Sequence, residues 1–451
     1  MYLDFLRTAQ RSFNYNMYET FYHNLPNGVQ IVHRKTLSPV VYVGLMIGAG
    51  TRHEQPEENG MAHYIEHCLF KGTEHYTARQ IINHIEGIGG EINAYTTKEE
   101  TTFYAATLNN HFRTTLHLLA DMVLRPTFNK KETDKEVTVI LDEIESYNDS
   151  PSELIYDDFE NLLFEGSSLA MPILGTKKTL KRISKSPDYP LHWMAQHYRP
   201  ERMVLFVQGN VSTKQVIAAA EKELLSSSPI THSEASYSPQ SGRPIAAPAA
   251  SYSSLCERPI GLCPSYSPSG ASRTYRRHTH QTHIMLGSHT YPIGHPKQLT
   301  MFLLNNILGG GSMSSRLYLS LREKYGLVYN IDSQAVPLSD TGYWNIYLAC
   351  EPQHKDQCLE LCHKELKQLR DTRLTAAQLQ RALRQLEGQL AISAENQENN
   401  ALAMAKQMLY HHRAPQWQET FAKVQKITPE QLQEVANEVF APEKIYTLLY
   451  D

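Results

Sequence analysis

His63-Tyr64-Ile65-Glu66-His67 is the stretch from which the rest of this chain can be read. It lies in Ala62 to Phe70, a run without Gly or Pro that follows a break at Gly60, and this predicts a helix. On a helix, residues i and i+4 stack on one face about 6 Å apart along the axis. Two imidazoles at that spacing can share one divalent ion. Glu66 falls on the adjoining part of that face, within reach of a water on such an ion. The pattern is H-x-x-E-H, with the glutamate inverted relative to the commoner H-E-x-x-H order. A chain with 21 His can also place two of them four apart by chance. The pair therefore needs a third ligand, because a zinc centre of this kind uses three protein ligands and keeps one position open.

Asn129 to Tyr147 predicts an acidic helix that can supply one. Asn129 suits the N-cap, with Glu132 at N3 in a capping-box-like start. Glu136 and Glu143 are nearly two turns apart and share one face. Val137, Val139, Ile140, Leu141 and Ile144 flank them, and buried carboxylates are costly unless paired or bound to a metal. The same residues also suit a solvated stripe, with Asp134, Asp142 and Glu145 alongside, and the pattern alone favours that blander reading.

Together the two segments resemble the inverted-zincin (HxxEH) peptidases of the pitrilysin and mitochondrial-processing-peptidase family, in their bacterial single-chain form. That family pairs H-x-x-E-H with a later segment similar to Glu136-Val137-Thr138-Val139-Ile140-Leu141-Asp142-Glu143-Ile144. The resemblance implies that His63, His67 and Glu143 hold one Zn²⁺ per chain, that Glu66 is the general base, and that Glu136 supports them. Gly89-Gly90-Glu91-Ile92-Asn93-Ala94-Tyr95-Thr96 resembles the family's edge strand, implying that Asn93, Ala94, Tyr95 and Thr96 bind extended substrate backbone. Ser315-Arg316-Leu317 and the run from Arg322 to Tyr329 match the family's C-terminal Arg/Tyr pair. They imply that Tyr329 stabilises an oxyanion with Arg322 assisting. Without the resemblance, Arg322 reads as a surface charge and Tyr329 as a core aromatic. The matches run in the family's order from residue 24 to residue 451.

The implied fold is α+β: two homologous α/β-sandwich halves about a pseudo-twofold axis, forming a clam-like chamber. The implied activity is zinc-dependent endopeptidase action on short or unfolded peptides. The family also contains non-catalytic subunits, which lose motif residues that are all present here, and a chain with the intact motif can still depend on a partner subunit; a homodimer also fits the resemblance.

Composition sets the outer bounds. At 451 residues the chain exceeds one ordinary core, so two or more domains are expected. Hydrophobic residues make up 41% and charged residues 20%, as in globular chains, and the net charge of -4 argues against a nucleic-acid or membrane partner. No run approaches the ~18 apolar residues of a membrane span, and Met1 to Arg11 has no secretory-signal pattern. Cys68, Cys256, Cys263, Cys350, Cys358 and Cys362 form no C-x-x-C pair and read as free thiols in a reducing, cytoplasmic setting. Cys68 points about 100° away from His67 and reads as core.

The expected organisation is a tail over 1–20, a zinc-binding half over 21–225, a linker over 226–277 and a second half over 278–451. The linker is rich in Ser, Pro and Tyr, with Ser236-Tyr237-Ser238-Pro239 echoed by Ser265-Tyr266-Ser267-Pro268. Strands are expected at 29–34, 40–47, 91–96, 102–108, 203–208, 283–286, 329–336 and 342–349. Helices are expected at 62–71, 77–86, 111–124, 130–148, 151–164, 298–308, 314–324, 355–371 and 375–393, with a last one opened by Thr428-Pro429. Tyr198 to Phe206 and Phe440 to Leu448 share a Pro-Glu-basic-strand pattern that closes each half, suggesting duplication. Gly309-Gly310-Gly311-Ser312 is expected where the second half's counterpart of the H-x-x-E-H helix would fall. His278, His280 and His283 alternate at a strand entrance, a pattern that is commonly solvated but can also bind metal.

Overall fold

A computed structural model describes residues 19–225, 270–277 and 279–451. Most of the expected tail and linker, together with His278, Cys256 and Cys263, lie outside those residues.

The described chain builds two mixed sheets. The first has the order β1-β2-β6-β3-β5-β4, formed by β1 (Thr20–Asn24), β2 (Gln30–Lys35), β3 (Val40–Ile47), β4 (Glu91–Thr96), β5 (Thr101–Leu108) and β6 (Met203–Gly209). The second has the order β7-β11-β8-β10-β9, formed by β7 (Ser272–Tyr275), β8 (Thr282–Thr290), β9 (Val328–Pro337), β10 (Gly342–Cys350) and β11 (Tyr446–Tyr450). From β2 onward the first sheet matches the second strand for strand, and β1 is an added edge strand. β2 pairs parallel with β6, as β7 does with β11. β6, β3, β5 and β4 then run antiparallel in turn, as do β11, β8, β10 and β9. The sequence echo falls at equivalent places: the 3-10 turn Pro200–Arg202 leads into β6, and Pro442–Lys444 leads towards β11.

Each sheet carries its own helices on one face and borrows cover for the other. Helix Pro151–Leu163, from the first half, buries Ile155, Phe159 and Leu162 against Met285, Tyr343 and Leu448 of the second sheet. Helix Gln397–His411, from the second half, buries Ala401, Met404 and Met408 against Val32, Met46, Val204 and Phe206 of the first. The halves are thereby interlocked, each completing the other's core. The approach is close: a Cβ on Gly287 would stand 2.7 Å from the Phe159 ring and 2.1 Å from the Trp344 carbonyl oxygen. No described helix is long and apolar enough to cross a membrane.

Several expectations change. Ser272–Tyr275 lies in the stretch read as linker, yet it is an edge strand of the second sheet, so that sheet begins before residue 278. Its polar Ser-Arg-Thr-Tyr alternation carries no core signal, since an edge strand buries little. The counterpart of the H-x-x-E-H helix is Gln298–Leu308, and the Gly309–Ser312 run follows that helix instead of replacing it. The stretch around 314–324 is π-helical over Tyr318–Lys324. The crossing helix Gln397–His411 had no sequence-level assignment.

Candidate metal centre

The candidate ligand helix, Met61–Leu69, starts at Gly60, whose φ of 92° is a left-handed conformation that side chains disfavour. Gly60 offers no side-chain cap, and buried Glu54 fills that role from outside the helix. Its Oε1 accepts the Ala62 N–H at 2.8 Å and its Oε2 accepts the Gly60 N–H at 2.8 Å. Asn59 Nδ2 adds a third donor at 3.2 Å. Burial still pushes the Glu54 carboxyl up to about 8, with these donors opposing. A carboxylate at a helix start offsets the unsatisfied N–H groups and the positive end of the helix dipole. Met61, Ile65, Cys68 and Leu69 lock the helix into the first core. This sets the roll of the helix, so His63 and His67 turn towards the acidic helix Lys130–Asn148.

His63, His67 and Glu143 converge there. Glu143 Oε2 lies 3.8 Å from His63 Nε2 and 3.5 Å from His67 Nε2. One donor atom from each of the three falls within 4.8 Å of the others, and among the described residues no other His, Cys or acidic group of this size does so. Two imidazole nitrogens and a carboxylate oxygen suit Zn²⁺, and three protein ligands leave a position open. The orientation is also held from behind. His67 Nδ1 lies 3.1 Å from Glu136 Oε2, and Lys71 Nζ pairs with Glu136 Oε1 at 2.7 Å. An Nδ1–H donated to that carboxylate leaves Nε2 free to face an ion.

The electrostatics follow this arrangement. Burial pushes His63 down, with His67 adding and Glu143 opposing. Burial also pulls on His67, but hydrogen bonds to Glu143 and Glu136 outweigh it and raise this imidazole. The hydrogen bond to His67 holds Glu143 below the usual carboxylate range, against partial burial. Burial raises Glu66, opposed by a hydrogen bond from Thr96.

Glu136 is buried, so the solvated-stripe reading of the acidic helix fails there, whereas Glu143 stays 43% exposed at its side chain while facing the two imidazoles. Asn129 caps that helix, accepting from Lys131 N at 3.0 Å, but Glu132 pairs with Lys135 and closes no capping box.

Glu66 connects this centre to β4. Thr96 Oγ1 donates to Glu66 Oε2 at 2.6 Å. Among the described residues β4 pairs only with β5, which leaves its other edge open. Ala94 packs on the first core, whereas Tyr95 packs on the crossing-helix core and meets Tyr104 edge-on. Asn93 alternates with them on the face of Tyr95.

Arg322 and Tyr329 are brought to each other. The Arg322 guanidinium carbon lies 5.1 Å from the Tyr329 ring centroid and 4.9 Å from that of Tyr318. Tyr329 is 82% exposed, which overturns the core-aromatic reading. Among the described residues, no hydrogen bond or ion pair joins either one to the metal cluster. His283 is buried against the Tyr347 hydroxyl at 2.9 Å, and neither it nor His280 joins a metal-capable group among the described residues. Cys68, Cys350, Cys358 and Cys362 are free and buried. Sequence reasoning passed over Glu54 and Lys71. An acid six residues before a helix-starting glycine was a signal for the first, and nothing marked the second.

Residues 30–177 match the description "Insulinase (Peptidase family M16)", and residues 188–386 match "Peptidase M16 inactive domain". A Bacillus subtilis relative named as an uncharacterized zinc protease, YmxG, is 32% identical over 426 residues, covering 94% of this chain and 96% of its own. A Streptomyces coelicolor relative, also named as an uncharacterized zinc protease, is 31% identical, covering 92% of this chain and 86% of its own. Among solved structures, a Helicobacter pylori protease superposes with a TM-score of 0.83 at 19% identity, over 96% of this chain and 99% of its own. A Pseudomonas fluorescens structure titled as a peptidase M16 inactive domain gives 0.82 at 19% identity, over 96% of this chain and 97% of its own. This chain, with its paired sheets and its His-His-Glu cluster, belongs to the M16 insulinase family of peptidases.

Proposed function

We propose that this chain is a zinc-dependent endopeptidase that hydrolyses short or unfolded peptides, with Zn²⁺ held by His63, His67 and Glu143. One observation carries the reading above the rest. The Glu66 carboxylate sits on the ligand helix beside the donor triangle and is tied by Thr96 to an open strand edge. Base and substrate platform are thus one connected unit.

When bound, the ion supplies Lewis acidity towards water and towards a peptide carbonyl. The chain's residues do the rest. The open edge of β4 pairs with an extended peptide backbone, with affinity from main-chain hydrogen bonds and broad tolerance of side chains. Glu66, raised by burial, accepts a proton from the attacking water and returns it to the leaving amine. The hydrogen bond from Thr96 fixes one oxygen of that carboxylate, so the other faces the reacting water. Tyr329, stacked on Arg322, supplies a hydroxyl donor for the developing oxyanion; losing one such donor costs about 10²- to 10³-fold in kcat.

The test compares purified wild type with Glu66→Gln on a quenched peptide library. Wild type cleaves in a phenanthroline-sensitive manner, whereas Glu66→Gln retains zinc and does not cleave. Full activity in Glu66→Gln removes the base, and a zinc-loaded wild type without cleavage identifies a non-catalytic or partner-dependent subunit.

A further inference from the structure

The two open-edged strands, β4 and β9, occupy equivalent places in their sheets, and each ends in a short hairpin turn. The first turn, Thr97 to Glu100, joins β4 to β5. The second, Leu338 to Thr341, joins β9 to β10. These equivalent turns meet across the boundary between the halves. Glu99 Oε2 accepts the Ser339 N–H at 3.0 Å, and Glu99 Oε1 accepts the Ser339 hydroxyl at 2.6 Å. Arg52 pairs with Glu99 and reaches past it, donating to Ser339 Oγ at 2.9 Å and to both Asp340 oxygens at 3.0 and 2.8 Å.

The contact is braced on both sides. Glu100 is buried and accepts from Lys406 Nζ at 2.6 Å and from the Tyr410 hydroxyl at 2.7 Å, both on the crossing helix. Lys98 pairs with Glu160 at 3.0 Å on the other crossing helix and donates to the Met171 carbonyl at 2.6 Å. The first turn is itself stiff. Thr97 Oγ1 accepts the N–H groups of Glu99 and Glu100 at 3.2 and 3.1 Å, and Thr97 N donates to the Glu100 carbonyl at 2.8 Å. Beside it lies a cavity of about 200 Å³, lined by Lys98, Glu99, Glu100, Glu160 and Lys406 together with Leu338 and Tyr343. The halves therefore meet at this point through directional charged contacts and open space, beside the apolar core under the crossing helix that Leu338 and Tyr343 join.

We infer that this tip-to-tip contact is a positioning latch, in which Glu99 and Ser339 set the place of β9, and so of Tyr329, relative to β4 and Glu66. Thr96, which holds Glu66, is the residue next to the stiff turn. Tyr329 is carried by the strand that ends at the other tip. A directional contact between the tips fixes the relative placement of the two strands that carry Thr96 and Tyr329. Buried charges suit this task, because they tolerate one geometry and penalise every other. Glu99, Ser339 and Asp340 act through Tyr329 and need not touch substrate. The inference deepens the proposed peptidase reading and rests on it for the effect on turnover, but the mechanical link is measurable without turnover.

The experiment uses zinc-loaded full-length protein carrying Glu99→Gln. Asp340→Asn, at a side chain that is 50% exposed, is a companion that leaves the core untouched. Two readouts are taken. Amide hydrogen exchange is expected to rise about tenfold or more in both β4 and β9, with zinc stoichiometry unchanged. Turnover of a quenched peptide is expected to fall about tenfold or more in kcat with KM little changed, and to fall no further when Glu99→Gln is added to Tyr329→Phe. Unchanged exchange in β4 and β9 overturns the latch, even if wild type proves to have no peptidase activity. Kinetic losses that multiply with Tyr329→Phe also overturn it, since a general loss of stability would act independently of Tyr329. If Glu99→Gln does not fold, Asp340→Asn decides by the same two readouts.

Discussion

Glu136 shows how one side chain can organise a candidate metal site without entering it. It is buried, it faces His67 Nδ1, and Lys71 neutralises its far oxygen. Removing it frees the imidazole to turn and leaves Lys71 without its partner. Glu136→Ala is expected to weaken zinc binding by about 10- to 100-fold, measured by competition with a chromogenic chelator; unchanged affinity would show that His67 is held by packing alone. At this scale the sequence was most informative where spacing sets geometry. Residues four apart on a helix must stack, so His63 and His67 were legible as a pair. The partner in Glu143 was not, since nothing in spacing alone brings a second helix to the first, and the resemblance had to name it. Lys71 stayed invisible because its role exists only once Glu136 is folded beside it.

At the level of single elements, the ligand helix depends on a cap supplied from outside it. Glu54 accepts two backbone N–H groups that the helix start leaves open, and Gly60 provides the left-handed entry. Glu54→Ala is expected to cost roughly 1–3 kcal/mol in urea unfolding, the penalty of leaving buried donors unmatched. Strand β4 makes a different prediction. Because its free edge offers main-chain groups, N-methylation of a substrate peptide at alternate residues is expected to raise KM about tenfold, with the intervening positions insensitive. Equal sensitivity at every position would place the peptide elsewhere. Most strands and long helices were readable from β-branched runs and capping residues. β7 was not, since Ser-Arg-Thr-Tyr has no buried face, and neither was the break into π-helix at Tyr318–Lys324, where backbone hydrogen bonding departs from the ordinary helical repeat.

For the whole molecule, the controlling feature is the exchange of crossing helices. Phe159 belongs to the first half in sequence and to the second half's core in space. Phe159→Ala is expected to cost about 3–5 kcal/mol and to lower both halves in one unfolding transition; two separate transitions would contradict the interlock. The fold also carries an acid sensitivity away from the metal. Burial pushes His33 down to about 4, with Lys35 adding, while the unfolded imidazole titrates near 6.5. The unfolded state takes up the proton first as pH falls, so His33 supports the fold fully above pH ~6.5 and progressively less towards pH ~4, by roughly 3 kcal/mol at most. His33→Gln is expected to flatten the decline of urea midpoint over that window. The duplication was legible in the Pro-Glu-basic echo, but the crossing of helices was not, because an apolar stripe such as that of Gln397–His411 does not state which sheet it will cover. The central claim remains the convergence of His63, His67 and Glu143, and zinc titration of the metal-stripped protein tests it most directly. One tightly held ion per chain in wild type, lost in His67→Ala and in Glu143→Ala, is the predicted result; stoichiometric zinc that persists in both variants would contradict it.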